Sequence, residues 1–394
     1  MSLRPTRRGF LLGLAATVAV GRTRMAFARL PGERRLVVVI LRGALDGLYA
    51  VQPYGDPALA GLRGPLALPE PGREGGLLDM GGFFGLHPAL SALHGMYAAG
   101  EALVLHAVAA PHRSRSHFEA QDLLEGGAPE RLSSGWLNRA LAAVPNPPEA
   151  RAGLAVGTGV PLLLRGPTPV GAYAPPGLAR PSPELLDRLA ALHAADPRLG
   201  PAFAEGLRAR GFAEQAMGGT AAGPEQRGSF PDLAAAAARL LAEPQGPRVA
   251  ALELGGWDTH TGQAARLQGP LRALDAGLAA MREGLGPHWA RTAVLVVTEF
   301  GRTARVNGNN GTDHGTGGAA FLLGGAVAGG RVLADWPGLD EAALFEGRDL
   351  APTLDLRRLA KGVLRDHLLL PPAAVAQAFP GSDAAPPLGG LLRG

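Results

Sequence analysis

Four short apolar runs, at 36–41, 102–108, 249–254 and 293–298, each end in a glycine-rich or polar turn. Runs of this length bounded by turns suit strands buried on both faces, the habit of a parallel sheet. A weaker run lies at 319–323. Between them lie stretches with helical spacing. Over 88–99, Leu90, Leu93 and Tyr97 share one face, and over 264–285, Leu267, Leu271, Leu274, Leu278 and Met281 do so. A third helix is expected over 357–369. Strand and helix in alternation predict an α/β fold: a doubly wound, mostly parallel sheet flanked by helices. The Ala- and Leu-rich segment 181–245 shows no strand signal. With helices expected at 183–194 and 231–243 and a glycine-rich break at 218–228, it reads as a helical insertion in an α/β domain spanning 33–394.

In open α/β sheets ligands collect at the carboxyl ends of the strands, so chemistry is expected in the turns that close these runs. The first run leads into Arg42-Gly43-Ala44-Leu45-Asp46-Gly47, and the second into His112 and Arg113-Ser114-Arg115-Ser116-His117. The third leads into Gly256-Trp257-Asp258-Thr259-His260 and the fourth into Glu299-Phe300-Gly301-Arg302-Thr303. Asp313-His314-Gly315 precedes the fifth. Asp258 and His260, two apart in an extended segment, point the same way, and an oxygen with an imidazole suits zinc, manganese or iron. A turn aspartate beside a surface histidine is the plainer alternative. Asp46, Glu299, Asp313 and His314 complete the candidate metal ligands. Glu299 with Arg302 reads equally as a strand-end salt bridge, whereas a free Arg302 would clamp an anionic oxygen. Ser116 with Glu119 fits a capping box. The same helix start makes Ser114, Ser116 and His117 candidate catalytic residues, because a helix N-terminus favours anions. His87 and His106 lie in apolar settings and read as core or edge histidines.

The amino end has a different character. Arg7 and Arg8 precede an aliphatic run of about a dozen residues, too short for a bilayer, which needs about 20. Ala26-Phe27-Ala28 offers a small-x-small cleavage site. Residues 1–28 thus read as a twin-arginine signal, handled by the twin-arginine translocase and delivering a folded, soluble protein to the periplasm or the exterior. These residues hold five arginines and no acid, so removing them turns the formal +4 into −1. The near-neutral remainder argues against nucleic acid as a partner. No later stretch predicts a membrane span. With no cysteine, disulfides, thiolate metal sites and a cysteine nucleophile are excluded. No Gly-x-Gly-x-x-Gly succeeds the first strand, which speaks against a dinucleotide cofactor.

Taken in order, Leu41-Arg42-Gly43 with Asp46-Gly47, Phe84-Gly85-Leu86-His87-Pro88, Arg115-Ser116-His117-Phe118, Gly256-Trp257-Asp258-Thr259-His260, Thr298-Glu299-Phe300-Gly301-Arg302-Thr303 and Asp313-His314-Gly315 resemble the bacterial family called domain of unknown function 1501. That family is grouped with alkaline-phosphatase-like and sulfatase-like α/β proteins. The resemblance implies a metal-dependent hydrolase or transferase acting on a small or polymeric phosphate or sulfate ester, with a divalent ion (Zn, Mn, Fe or Ca) on Asp46, Asp258, His260 and His314. This chain departs from the superfamily pattern in having Glu299-Phe300 where an Asp-His pair is usual and a shortened Asp258-Thr259-His260. It also lacks a Ser-x-Pro-Ser-Arg sequence, so a sulfatase formylglycine is not expected. An incomplete ligand set leaves open an envelope protein that binds a partner or polysaccharide without turnover.

Overall fold

The computed structural model describes residues 33–144, 151–174, 183–193 and 228–393, with isolated positions between 196 and 207. The leader at 1–28 and nearly all of the 218–228 break lie outside the described residues.

Among the described residues nine strands form the main sheet: β1 (Arg35–Leu41), β2 (Ala102–Ala109), β3 (Leu154–Val156), β4 (Gly171–Tyr173), β5 (Val249–Leu254), β6 (Thr292–Thr298), β7 (Gly318–Leu323), β8 (Arg331–Leu333) and β9 (Leu354–Asp355). The spatial order is β8-β2-β7-β6-β1-β5-β3-β4, with β9 pairing the end of β2. Strands β5 and β6 run parallel to β1 on either side, with Val38 opposite Ala251 and Leu295. Only β7 runs against its neighbours β2 and β6. The fold is therefore the doubly wound, mostly parallel sheet that the alternating pattern predicts.

All seven residues of β1 are buried, so both faces of the sheet must be covered. Alternation divides them. Val37, Val39 and Leu41 join one core with α1 (Ser91–Ala98), α5 (Phe230–Ala242) and α6 (Gln268–Leu285). Leu36, Val38 and Ile40 join the other with α3 (Trp136–Leu141), α7 (Leu356–Asp366) and α8 (Pro372–Ala378). Helix α2 (His117–Gly126) comes after β2, and α4 (Pro183–His193) is the first helix of the anticipated insertion. The second anticipated helix, α5, packs along α6 against the sheet, so it serves as a covering helix of the layer leading into β5.

Local chemistry accounts for the element ends. The 264–285 period breaks into a single turn, Gln263–Arg266, and α6, which restarts at Gln268. Pro270 has no amide hydrogen to give, and in the first turn of α6 none is needed. Helix α1 begins three residues later than its apolar period. Its first amides are satisfied by tertiary contact, Ala92 and Leu93 donating to Asp275 of α6 at 3.0 and 2.9 Å. Helix α2 begins after Ser116 as expected, but the capping box is not formed. The Ser116 side chain caps no amide, and Glu119 lies 3.5 Å from His112 instead. His87 and His106 are buried, and burial lowers each to about 4, in line with their reading as core histidines.

Candidate metal centre

Parallel strands deliver their carboxyl ends to one edge of the sheet, and antiparallel β7 delivers its amino end to that same edge. This is why the segment before β7 meets the segments after β2, β5 and β6. The backbone fixes the meeting. Thr303 N–H donates to the Asp313 carbonyl at 2.9 Å, and Gly315 N–H donates to the Gly301 carbonyl at 2.9 Å. A Cβ on Gly315 would stand 2.3 Å from the Arg302 carbonyl carbon, so only glycine permits this approach.

Four side chains converge there: His117 from the first residue of α2, Asp258 and His260 from beyond β5, and His314 from before β7. His314 Nε2 lies 3.0 Å from His117 Nε2, 3.1 Å from His260 Nε2 and 3.2 Å from Asp258 Oδ1. Asp258 lies 3.0 Å from His260 Nε2 through Oδ1 and 3.4 Å from His117 Nε2 through Oδ2. Two ligands on one tetrahedral zinc, each about 2.0–2.1 Å from the ion, stand about 3.3 Å apart. The five separations sit close to that figure, and the ligand atoms of His117, Asp258 and His314 all lie within 4.8 Å of one another, with His260 beside them against His314 and Asp258.

The other nitrogen of each imidazole faces a group that only accepts. His117 Nδ1 donates to Glu299 Oε1 at 2.8 Å, His260 Nδ1 to Asp313 Oδ1 at 3.0 Å, and His314 Nδ1 to the Arg115 carbonyl at 2.7 Å. In the neutral rings the proton is thereby drawn to Nδ1, leaving three Nε2 lone pairs aimed at one another beside a carboxylate. Lone pairs so placed can be satisfied by a cation, by protons or by water. Carboxylates and carbonyls behind ligating histidines are the usual outer partners of metal sites.

The remaining sequence candidates stand behind this group. Glu299 is wholly buried and accepts from Gly43 N–H (2.8 Å), Gln121 (3.0 Å), Thr298 (3.0 Å) and His117. Burial alone would raise its carboxyl, and those hydrogen bonds outweigh it, holding the group below its ordinary range. Asp313 touches His260 Nδ1 and not the converging nitrogens. Arg302 is 1% exposed and has each nitrogen engaged: Nη1 with Asp258 Oδ1 (2.7 Å), Nε with Thr312 Oγ1 (3.2 Å) and Nη2 with the Thr312 carbonyl. It holds Asp258 from behind. Burial pushes the Asp258 carboxyl upward, but Arg302 more than offsets this and lowers it. Asp46 lies away from the group, 1% exposed and ion-paired with Arg63. Ser114 Oγ accepts from Ser116 N–H at 3.2 Å, and Ser116 is exposed. Neither hydroxyl is hydrogen-bonded to the four converging groups, whereas His117, a catalytic candidate by sequence, stands among them.

The carboxylate hydrogen bond from Glu299 raises the His117 pKa above its ordinary value, while burial lowers that of His314. An ion must displace the proton from His117 Nε2. Divalent-ion affinity is therefore expected to fall about tenfold per pH unit below the raised His117 pKa and to level off above it. Glu299→Gln, which removes the cause of the shift, moves that break to lower pH. Calorimetric titration with Zn(II) from pH 5.5 to 8.5 checks this, and a flat profile in both proteins contradicts it.

A doubly wound α/β domain carrying a three-histidine, one-aspartate cluster at its carboxyl edge is the class that fold and site define. The chain belongs to the family described as protein of unknown function (DUF1501), whose profile matches residues 97–376. No curated protein sequence matches it. Among solved structures it is similar to a protein of the alkaline phosphatase superfamily from Vibrio parahaemolyticus (12% identity, TM-score 0.37, covering 80% of this chain and 69% of that one). It is also similar to the C-terminal periplasmic domain of EcEptC from Escherichia coli in complex with Zn (9%, 0.35, 77% and 76%). A third similar structure is Ps i-CgsB in complex with k-i-k-neocarrahexaose (8%, 0.33, 74% and 65%).

Proposed function

We propose that this chain is an exported, metal-dependent hydrolase or transferase of phosphate or sulfate esters. The observation that carries the metal is the convergence of three Nε2 lone pairs and the Asp258 carboxylate, each imidazole oriented from behind by an acceptor. The ester class rests on the ordered motifs that resemble the family called domain of unknown function 1501, which is grouped with alkaline-phosphatase-like proteins, and export to the periplasm or exterior rests on the twin-arginine leader.

Three imidazoles and one carboxylate favour zinc or iron over calcium, which takes six to eight oxygens. A divalent ion held there supplies Lewis acidity at an ester oxygen and acidifies water. The chain's own part is to fix the geometry. His117, Asp258, His260 and His314 hold the ion, Glu299 and Asp313 set the tautomers of His117 and His260, and Arg302 aims Asp258. Asp258 and His260 side chains are 42% and 43% exposed, so an ester in solution has access.

The test has two stages. Protein purified through its own export route is assayed for Zn, Mn and Fe, then offered a panel of phosphate and sulfate esters. Stoichiometric metal with turnover abolished by Asp258→Ala supports the reading. Metal-free protein that binds no added ion overturns it. A second reading, an envelope protein that binds metal without turnover, is favoured by the burial of Arg302 and its bonds to Asp258 and Thr312, which keep that guanidinium from open solution. Bound metal with no turnover across the panel selects it.

A further inference from the structure

Asp258 is the only carboxylate in the converging group, and its side chain is 42% exposed. A carboxylate that open keeps its aim only if something behind it is rigid. Arg302 is its direct support, and Arg302 is itself held by residues that no sequence motif brought forward.

Gln263 opens the single turn Gln263–Arg266 and is wholly buried. Both ends of its amide are used. Nε2 donates to Asp46 Oδ2 at 2.6 Å, while Oε1 accepts from Thr259 Oγ1 at 3.1 Å and from Thr312 Oγ1 at 2.6 Å. Thr312 Oγ1 in turn accepts from Arg302 Nε at 3.2 Å, and Arg302 Nη1 donates to Asp258 Oδ1 at 2.7 Å. The amide has one workable orientation. Asp46 needs a donor, and Thr312, already accepting from Arg302, has its hydroxyl hydrogen to give and needs an acceptor. At the far end Asp46 is ion-paired with Arg63, whose Nη1 also donates to the Thr303 carbonyl at 3.2 Å. An unbroken series of hydrogen bonds, with Arg302 donating at once to Asp258 and to Thr312, thus joins a buried ion pair to a carboxylate at the open site.

We propose that Gln263 is a positioning residue of the metal centre, coupling the Asp46–Arg63 pair through Thr312 and Arg302 to Asp258. This rests on the metal-binding reading above. Outer partners of metal ligands typically change affinity 10–100-fold when removed; Arg302 is that partner for Asp258, and Gln263 acts on Arg302 from further out, through Thr312.

The test compares wild type, Gln263→Leu and Thr312→Val in titrations with Co(II) and Zn(II). The visible absorption of bound Co(II) reports ligand geometry, and thermal unfolding of the metal-free proteins reports the fold. Gln263→Leu is expected to bind both ions about tenfold more weakly, the lower end of that range, with an altered Co(II) spectrum. Thr312→Val, nearly the same shape without the hydroxyl, is expected to shift both readouts in the same direction and decides the matter if Gln263→Leu does not fold. Folded variants that match wild type in affinity and spectrum overturn the proposal. A wild type that binds neither ion overturns the metal-binding reading instead.

Discussion

Replacing His314 with alanine is expected to weaken Zn(II) binding on the order of 100–1,000-fold while leaving the metal-free fold in place. His314 is the central member of the group, its Nε2 lying within 3.2 Å of His117, His260 and Asp258. Four-ligand zinc sites in small peptides bind with about 10–16 kcal/mol, or about 2.5–4 kcal/mol for each ligand, and each 1.4 kcal/mol is about tenfold. The cost to the fold is smaller because the side chain is partly exposed and its one outward hydrogen bond goes to the Arg115 carbonyl. Competition titration against a chelator of known affinity measures the first effect, and denaturant unfolding without metal measures the second. Unchanged Zn(II) affinity would remove His314 from the centre.

Arg63→Ala is expected to destabilise the protein by about 3–5 kcal/mol, the usual cost of breaking a buried ion pair from one side. The Arg63 and Asp46 side chains are 0% and 1% exposed, so alanine strands the Asp46 carboxylate with only the Gln263 amide as donor. Neutralising both partners, as Arg63→Met with Asp46→Asn, is expected to recover part of that loss because no unpaired charge stays buried. Equilibrium unfolding in urea compares the three proteins. A single mutant as stable as wild type would show that the pair contributes nothing.

The two variants act on opposite ends of one arrangement. His314 belongs to the open end, where partial exposure limits the cost of change. Arg63 belongs to the sealed end, where the same kind of polar contact is part of the core. Gln263 lies between them, buried yet joined to the open end, so its removal is expected to register in both metal affinity and stability.

Much of this was legible in the order of residues. Every long strand declared itself as an apolar run between turns, because a strand buried on both faces has no room for polar side chains. Helices α6 and α7 declared themselves through apolar spacing that matches the helical period. The carboxyl-edge rule brought His117, Asp258 and His260 forward as candidates, since it needs only the direction of each strand and the residues after it, whereas His314 came forward from the glycine-rich loop before the fifth run. The family resemblance drew on the same segments, and the family profile covers most of them.

Tertiary structure decided the rest. The sequence placed Asp46, Glu299 and Asp313 with the ligands, but a carboxylate next to a strand end can face the site or the core, and only packing chooses. Glu299 ended behind His117 and Asp46 against Arg63, a residue 17 positions away with no motif of its own. Arg302 offered an anion clamp on paper, yet folding surrounded it with Thr312 and Asp258. Gln263 and Asp46 stand 217 residues apart in the chain and 2.6 Å apart in space. Local period and turn chemistry reach only a few residues along the chain. Which side chains share one donor and one acceptor is settled by how the sheet edge, with β7 reversed, brings distant loops together.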